Sequence, residues 1–344
     1  MKLLFNLEDK DISSDEIKEH LGYVDADLSY KNLLPDVMTS TKEVKKLIGT
    51  EVYDHLHKHY EDGLTDGTYT YDFTDSESVI LRALRYPILV KAYWLFAPNN
   101  DLSHTGDGRT VRAGENNKQP WQWQIDEDNK AQEKRFYRAL DDLIDLLDES
   151  ISEGYAEMEE VAQKETLYYK WINSDSFKKI KKCFLNTVDK FNDVFSIESR
   201  LLLIKITPGI IECETREIIS RIGKEKMAFL KEGTDLQDKD KELILLIEKA
   251  TAFYALAWAI PRMSATLFPE GVLQFQVSDR TTTQAKKPAM LNEHELARQS
   301  FAQTVSQTLI DIEDLVKPEP LPEETQTREV LRPVCSSEKF ISLT

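Results

Sequence analysis

The chain has 344 residues, enough for two domains of ordinary size. Its 61 acidic side chains outnumber its 44 basic ones and give a formal net charge of -17. This charge excludes tight binding to free nucleic acid, because phosphate contacts require clustered lysine and arginine. It is still compatible with an acidic wall along which DNA slides.

Cysteine usage and hydropathy indicate a reduced protein made in the cytoplasm. The cysteines are few, odd in number and widely spaced: Cys183, Cys213 and Cys335. We expect free thiols rather than disulfides or a cysteine-based zinc site. Polar residues interrupt the apolar start of the chain at once, so we expect no secretion signal. Residues 243–260 contain Glu248 and Lys249, which predicts a buried helix rather than a membrane span.

Residues 41–56 return, with substitutions, as residues 215–230. The identical pairs are Thr41 and Thr215, Glu43 and Glu217, Ile48 and Ile222, Gly49 and Gly223, Glu51 and Glu225, and Leu56 and Leu230. Each copy is followed by an acidic loop, a long apolar helix, a glycine-containing segment and an amphipathic helix. This shared order predicts two copies of one unit in tandem.

Two capping boxes predict where helices of the first unit begin. In this motif a Ser or Thr side chain accepts from the amide three residues later, and a Glu at that position reaches back. The boxes lie at residues 40–43 and 74–77. We therefore expect one helix to begin at Ser40 and another to follow Thr74 over residues 78–96.

The remainder of the first unit combines an arm and a third helix. Asp107 and Gly108 predict a turn that leads into a short β-hairpin arm. Apolar residues at helical spacing from Phe136 to Ile151 predict the helix. Its acidic stripe predicts a solvated face or, in a ring, the wall of a DNA channel. The stripe consists of Asp141, Asp142, Asp145, Asp148 and Glu149.

The second unit repeats this plan and leads into a tail. We expect a strand within residues 269–277 and a last helix from Ala297 to Ile312. Three prolines after Lys317 favour an extended chain, while later apolar residues favour folding against a partner. The predicted fold is mainly α, a tandem duplication of a small helical domain. Each copy has a β-hairpin arm, and the units are residues 1–170 and 171–317, with an extended C-terminal tail at 318–344.

His55 and His59 are the strongest candidates for a metal site, because they lie one turn apart on a predicted helix. They lack the further ligand and the glutamate base of a hydrolytic zinc site. The position of His55 holds Phe229 in the second copy, so we interpret the pair as a half-buried helix end. The sequence contains no phosphate loop, dinucleotide fingerprint or nucleophile elbow, and we expect no catalytic residue, cofactor or metal.

Trp121 and Trp123 flank one glutamine in the predicted arm, where a strand would place both rings on one face. Tryptophan is enriched at subunit interfaces, which makes the pair a candidate contact. Packing within their own domain is the more common role of such residues and is the alternative.

With these motifs, the chain resembles the duplicated head-to-tail connector proteins, also called adaptor or neck ring proteins, of tailed phages of Bacteroidetes, including crAss-like phages. The resemblance covers both units. It is based on the helices at 41–56 and 215–230, the long helices ending near Trp94 and Trp258, the arms at 106–108 and 269–271, and residues 171–177.

The resemblance implies a structural virion protein of the neck, without enzymatic activity, that joins the portal to the tail. It implies a homo-oligomeric ring, a dodecamer, beneath the portal protein and beside other neck or tail ring proteins. Double-stranded DNA would pass through without sequence-specific binding, and no membrane is involved. We expect the arms and the tail to make the subunit contacts. The candidate contact residues are Trp121, Trp123, Gly106, Gly108, Gly271, Phe275, Val330, Leu331 and Phe340.

Two alternatives remain open. A tail-completion or stopper protein of the same particle would share these features and differ in its position in the particle. A metal-dependent hydrolase that uses His55 and His59 would retain stoichiometric zinc on purification and lose it in His59→Ala.

Overall fold

The computed structural model describes residues 2–6, 10–24, 30–100, 102–105, 108–111, 121–151, 155–263, 274–276, 286–288 and 291–317. These residues are mainly helical, as predicted. The helices of the first unit are α1 (Lys10–His20), α2 (Tyr30–Ile48), α3 (Thr50–Asp62), α4 (Ser76–Asn100) and α5 (Gln122–Asp148). Two antiparallel hairpins join them: β1 (Leu64–Thr65) with β2 (Thr68–Tyr69), and β3 (Leu102–Thr105) with β4 (Gly108–Val111).

Short helices connect the two units. They are a 3-10 turn (Tyr155–Glu157), α6 (Glu160–Glu165), α7 (Leu167–Ile172), α8 (Asp175–Lys181) and α9 (Val188–Asn192). The second unit begins with α10 (Arg200–Cys213), which continues through a π-helical turn (Glu214–Ile218) into α11 (Ile219–Ile222). It is completed by α12 (Lys224–Glu232), α13 (Asp238–Ala259), the antiparallel pair β5 (Gln274–Gln276) and β6 (Lys286–Pro288), and α14 (Leu291–Val316).

The two units present the same order of elements. In each, a long helix ends at a glycine, and a shorter helix, a second long helix, a hairpin and a last helix follow. The first unit has the β1–β2 hairpin in addition, between α3 and α4; the corresponding residues 233–237 contain no strand. The two glycines, Gly49 and Gly223, have φ values of 96° and 81°. Upstream of them, the Thr41 and Thr215 hydroxyls each donate to the carbonyl four residues earlier, at 2.7 Å in both.

The helices bury one face each in the cores of the two units. In the first unit, α4 packs between α2 and α5, and its Leu84 is completely buried. In the second unit, α13 packs in the same way between α10 and α14. The predicted buried helix over residues 243–260 is α13, so that prediction is confirmed. Trp171, from the connecting segment, is buried in the first core.

The prediction that a helix begins at Ser40 is wrong. α2 begins ten residues earlier, at Tyr30, and Ser40 is buried inside it. Leu33 and Val37 extend the buried face upstream, and burial of apolar side chains stabilises a helix more than a local cap does. The break between two helices lies at Gly49 instead, between α2 and α3.

The cap of α4 also differs from the prediction. Asp75, not Thr74, accepts from the first amides of the helix, and its Oδ2 lies 2.9 Å from the Ser78 nitrogen. The Thr74 amide and hydroxyl donate to Asp72. Aspartate is as good a cap as threonine, and α4 extends from Ser76 to Asn100, beyond the predicted 78–96 at both ends.

A buried ion pair attaches the N-terminal segment to the first unit. Arg85 on α4 and Glu16 on α1 are both buried, and their closest N–O distance is 2.7 Å. The Asn6 amide donates to the other Glu16 oxygen at 2.9 Å, and the Tyr71 hydroxyl accepts from Arg85. Because each buried charge is paired and hydrogen-bonded, removing either partner would leave an uncompensated charge in the core.

The described part of the chain includes no helix that is both long enough and apolar enough to cross a lipid bilayer. α13, the most apolar long segment of the sequence, packs against α10 and α14 instead.

We expect Gly223→Ala to lower the free energy of unfolding by about 1–3 kcal/mol, because φ near 80° with ψ near 160° is strained for a residue with a Cβ. Nothing lies within 4 Å of the added methyl group, so the cost would come from the backbone alone. Urea unfolding would measure it. The control Gly22→Ala, at a glycine without positive φ, should change stability by less than about 0.5 kcal/mol. Equal effects of the two substitutions would contradict the prediction.

Candidate subunit-contact surfaces

The candidate pair Trp121 and Trp123 lies at the start of α5, not on a strand. Trp121 precedes the first residue of the helix, and its amide donates to the Gln124 side chain at 2.9 Å. Trp123 is the second residue of the helix and Trp121 is its N-cap, so the prediction that both rings share one face of a strand is wrong. The side chains are 71% and 61% exposed. Packing within their own domain is therefore not their role in this chain.

The other candidate residues belong to the hairpins or lie outside the described residues. Gly108 is the first residue of β4 and pairs with Thr105, which confirms the predicted hairpin in the first unit. Phe275 lies in β5 opposite Lys287, so the second unit also has a hairpin. Outside the described residues lie Gly106, Gly271, Val330, Leu331 and Phe340, together with the tail at 318–344.

The acidic stripe of α5 forms a joint between the two units. One Asp141 oxygen accepts from the Leu201 amide at 2.7 Å, and the other accepts from the Ser199 hydroxyl at 2.9 Å. Ser199 is itself the N-cap of α10 and accepts from the Leu202 amide. A carboxylate is favoured at this end of a helix, because the first amides lack intrahelical partners. α5 therefore holds the start of α10.

A second carboxylate of the stripe bridges the connecting segment and α10. The indole N–H of Trp171 donates to one Asp148 oxygen and the Arg200 Nε donates to the other, both at 2.7 Å. Trp171 is completely buried and Arg200 nearly so. The prediction that the stripe is a solvated face or channel wall is therefore wrong for Asp141 and Asp148. Asp142, Asp145 and Glu149 remain exposed.

The charges of the joint are close enough to perturb one another. Burial raises the pKa of the Asp141 carboxyl, although the hydrogen bonds from the α10 side oppose this. Desolvation, followed by the charges of Asp141 and Asp148, raises the pKa of Asp145 to about 6. The folded chain holds this proton more tightly than the unfolded chain does. The contribution of Asp145 to the free energy of unfolding therefore falls as the pH rises from about 3.8 to about 6.

An open groove of about 640 Å³ lies between α11, α13 and α14. Trp258 and Leu309 contribute apolar surface to it, and Ile310 is 50% exposed on one wall. Charged pairs surround it: Arg221 bridges Glu217 and Glu313 at 2.9 and 2.8 Å. Neither the groove nor the joint was predicted from the sequence. Ser199 ahead of the apolar run that begins at Leu201 is a cap signal from which the start of α10 could have been predicted.

The histidines lie beside carboxylates of the neighbouring helix start. His55 Nε2 is 2.9 Å from Glu77, and His59 Nε2 is 3.3 Å from Asp75 and 2.9 Å from the Tyr69 hydroxyl. Within the described ranges, no three His, Cys, Asp or Glu side chains are grouped so that they could hold a metal ion.

Two of the three cysteines, Cys183 and Cys213, are free and buried. Burial raises the pKa of each thiol to about 12, which disfavours the reactive thiolate. The free thiols agree with the expectation of reduced cysteines at these two positions. Cys335 lies outside the described residues.

The chain belongs to a family of unknown function (DUF6712), whose model matches residues 44–178 and again residues 215–329. The two matches together cover more than half of the chain, and each begins within the stretch that is repeated in the sequence. No curated protein and no solved structure matches the chain.

We expect Asp141→Ala to lower the free energy of unfolding by about 1–3 kcal/mol, because it leaves a buried helix start without its acceptor. Urea unfolding, followed by both circular dichroism and tryptophan fluorescence, would measure the loss. The two signals should also separate, since the joint couples the units. Asp142→Ala removes the same charge from the exposed neighbour and should be nearly neutral. A loss of the same size in both variants would mean that net charge, not the joint, is responsible.

Proposed function

We propose that this member of DUF6712 is a head-to-tail connector, a neck ring protein that joins the portal of a tailed phage to its tail. In this proposal the chain is a structural virion component without enzymatic activity. Copies assemble into a ring around the passing double-stranded DNA and contact the portal and the adjacent neck or tail rings. The basis is the resemblance of the sequence to such proteins, together with the surfaces described above.

We also propose that the two units arose by tandem duplication. The equivalent order of elements, the two glycines with positive φ and the two separate family matches support this. A ring built from such a chain would contain twice as many units as subunits, and each unit would project one hairpin.

The observation that carries the proposal is the exposed pair Trp121 and Trp123 at the start of α5. A tryptophan that is more than 60% exposed leaves a large apolar ring in water, and such residues concentrate in subunit interfaces. The tail at 318–344 is proposed to contact the next ring.

The net charge of -17 suits a protein that surrounds DNA without holding it. Like charges on the channel wall and the DNA backbone oppose adhesion, so the genome slides through. The proposed ring does not require sequence-specific contacts.

We expect quantitative mass spectrometry of purified virions to find this chain in a one-to-one ratio with the portal protein. A neck ring with the symmetry of the portal requires that ratio. A ratio well below one would favour a stopper or tail-completion role in the same particle. Absence of the chain from the particle would contradict the connector proposal.

We expect the double substitution Trp121→Ala and Trp123→Ala to weaken self-association at least about tenfold, since exposed aromatic anchors contribute most to interfaces. The monomer should keep its stability to within about 0.5 kcal/mol, because both rings are exposed. Mass photometry over a concentration series would measure the first effect and urea unfolding the second. Phe73→Ala, an aromatic residue 63% exposed elsewhere on the first unit, is the matched control. Equal weakening by the control would contradict a specific role for the tryptophans.

A further inference from the structure

The last helices of the two units have the same burial pattern. From Phe136 on α5 and Phe301 on α14, buried residues follow at four, seven, eight and eleven positions along the chain. They are Leu140, Leu143, Ile144 and Leu147 on α5, and Val305, Thr308, Leu309 and Ile312 on α14. Burial thus sets the residue-by-residue equivalence of the two helices.

This equivalence assigns a counterpart to each carboxylate of the joint. Counted from the same phenylalanines, Asp141 corresponds to Ser306 and Asp148 to Glu313, five and twelve positions along. Asp145 corresponds to Ile310 in the same way. On α5, Asp141 and Asp148 contact the start of α10 and Asp145 is exposed, whereas on α14 the three counterparts all line the open groove.

The helix end that lies across the groove from α14 also has a counterpart in the first unit. By the repeated stretch, Leu47 at the end of α2 corresponds to Arg221 on α11. The Leu47 carbonyl accepts from the Ser176 hydroxyl at 2.7 Å, across the connection to the second unit. Arg221 lines the groove. The first unit is therefore covered by the connecting segment and the start of α10, at the place where the second unit has its open groove.

We propose that this groove binds the first unit of a second copy of the chain, so that the contact between subunits continues the joint within each subunit. This inference rests on the proposed ring. A contact between two different surfaces of one chain is heterologous, and such contacts close into rings or extend into filaments. An apolar centre around Trp258 with paired charges at its edge is the usual composition of a subunit interface.

A second copy suits the groove better than the chain's own tail does. On the first unit the covering element is the capped start of α10, whose Leu201 amide and Ser199 hydroxyl donate to Asp141. The tail opens with Pro318, Pro320 and Pro322, which oppose a helix there. It is also the element that the proposed function assigns to the next ring.

The test is self-association of the full chain, measured by mass photometry and by sedimentation at higher concentration. Ile310→Asp places a charge in the groove, and Ser306→Arg blocks it. We expect each to raise the dissociation constant at least about tenfold. Leu296→Asp is the matched control, because Leu296 lies on the same helix, is 65% exposed and does not line the groove. It should associate like the unaltered chain, as should a chain that ends at residue 317.

Three results would overturn the inference: an unaltered chain that stays monomeric at high concentration, groove variants that associate normally, or a tail deletion that abolishes association. Circular dichroism of each variant checks folding, and exposed positions should tolerate these changes. The connector proposal fails separately, since it depends on whether the chain is present in the virion. If the groove does not bind a second copy, the proposed ring would be held together by contacts of the arms.

Discussion

The joint between α5 and α10 is the contact on which the arrangement of the chain depends. Asp141 supplies the acceptor for the start of a helix that lies sixty residues further on, and Asp148 bridges Trp171 and Arg200. Hydrogen bonds to a charged acceptor contribute about 1.5–3 kcal/mol each, so these few contacts hold one unit against the other. Desolvation first, and then the charges of Asp141 and Asp148, raise the pKa of the neighbouring Asp145 carboxyl.

Each unit also uses a buried glutamate to fix the segment that precedes it. In the first, Glu16 pairs with Arg85 and accepts from the Asn6 amide. In the second, Glu214 in the π-helical turn accepts from the Phe184 amide at 2.7 Å and pairs with Lys231 at 2.6 Å. The two glutamates differ in sequence context and position. In both units, however, a backbone amide of the preceding segment donates to the buried carboxylate and so fixes that segment.

The surfaces that remain open give the proposed assembly its form. Buried polar contacts hold the units together within one chain, whereas the exposed tryptophans and the groove of the second unit offer apolar area without a partner among the described residues. A pair of units with one covered and one open face suits the proposed head-to-tail addition. The acidic composition would keep such a ring soluble and away from DNA.

The sequence by itself determined the elements whose signals are local. Helical periodicity indicated α13 and α14, the turn at Gly108 indicated the first arm, and the repeated stretch located Gly49 and Gly223, because only glycine adopts their backbone conformation easily. Mainly helical architecture and the recurring order of elements follow from these signals.

Only the tertiary structure decided what each surface faces. A capping box at Ser40 lies inside α2, because burial of Leu33 and Val37 outweighs a local cap. An acidic stripe that resembles a solvated face became a joint, because its partners lie sixty residues away. By sequence identity, Leu143, Ile144 and Asp145 match Leu309, Ile310 and Asp311, one residue away from the alignment by burial. The two alignments differ because burial depends on the neighbours that folding brings together.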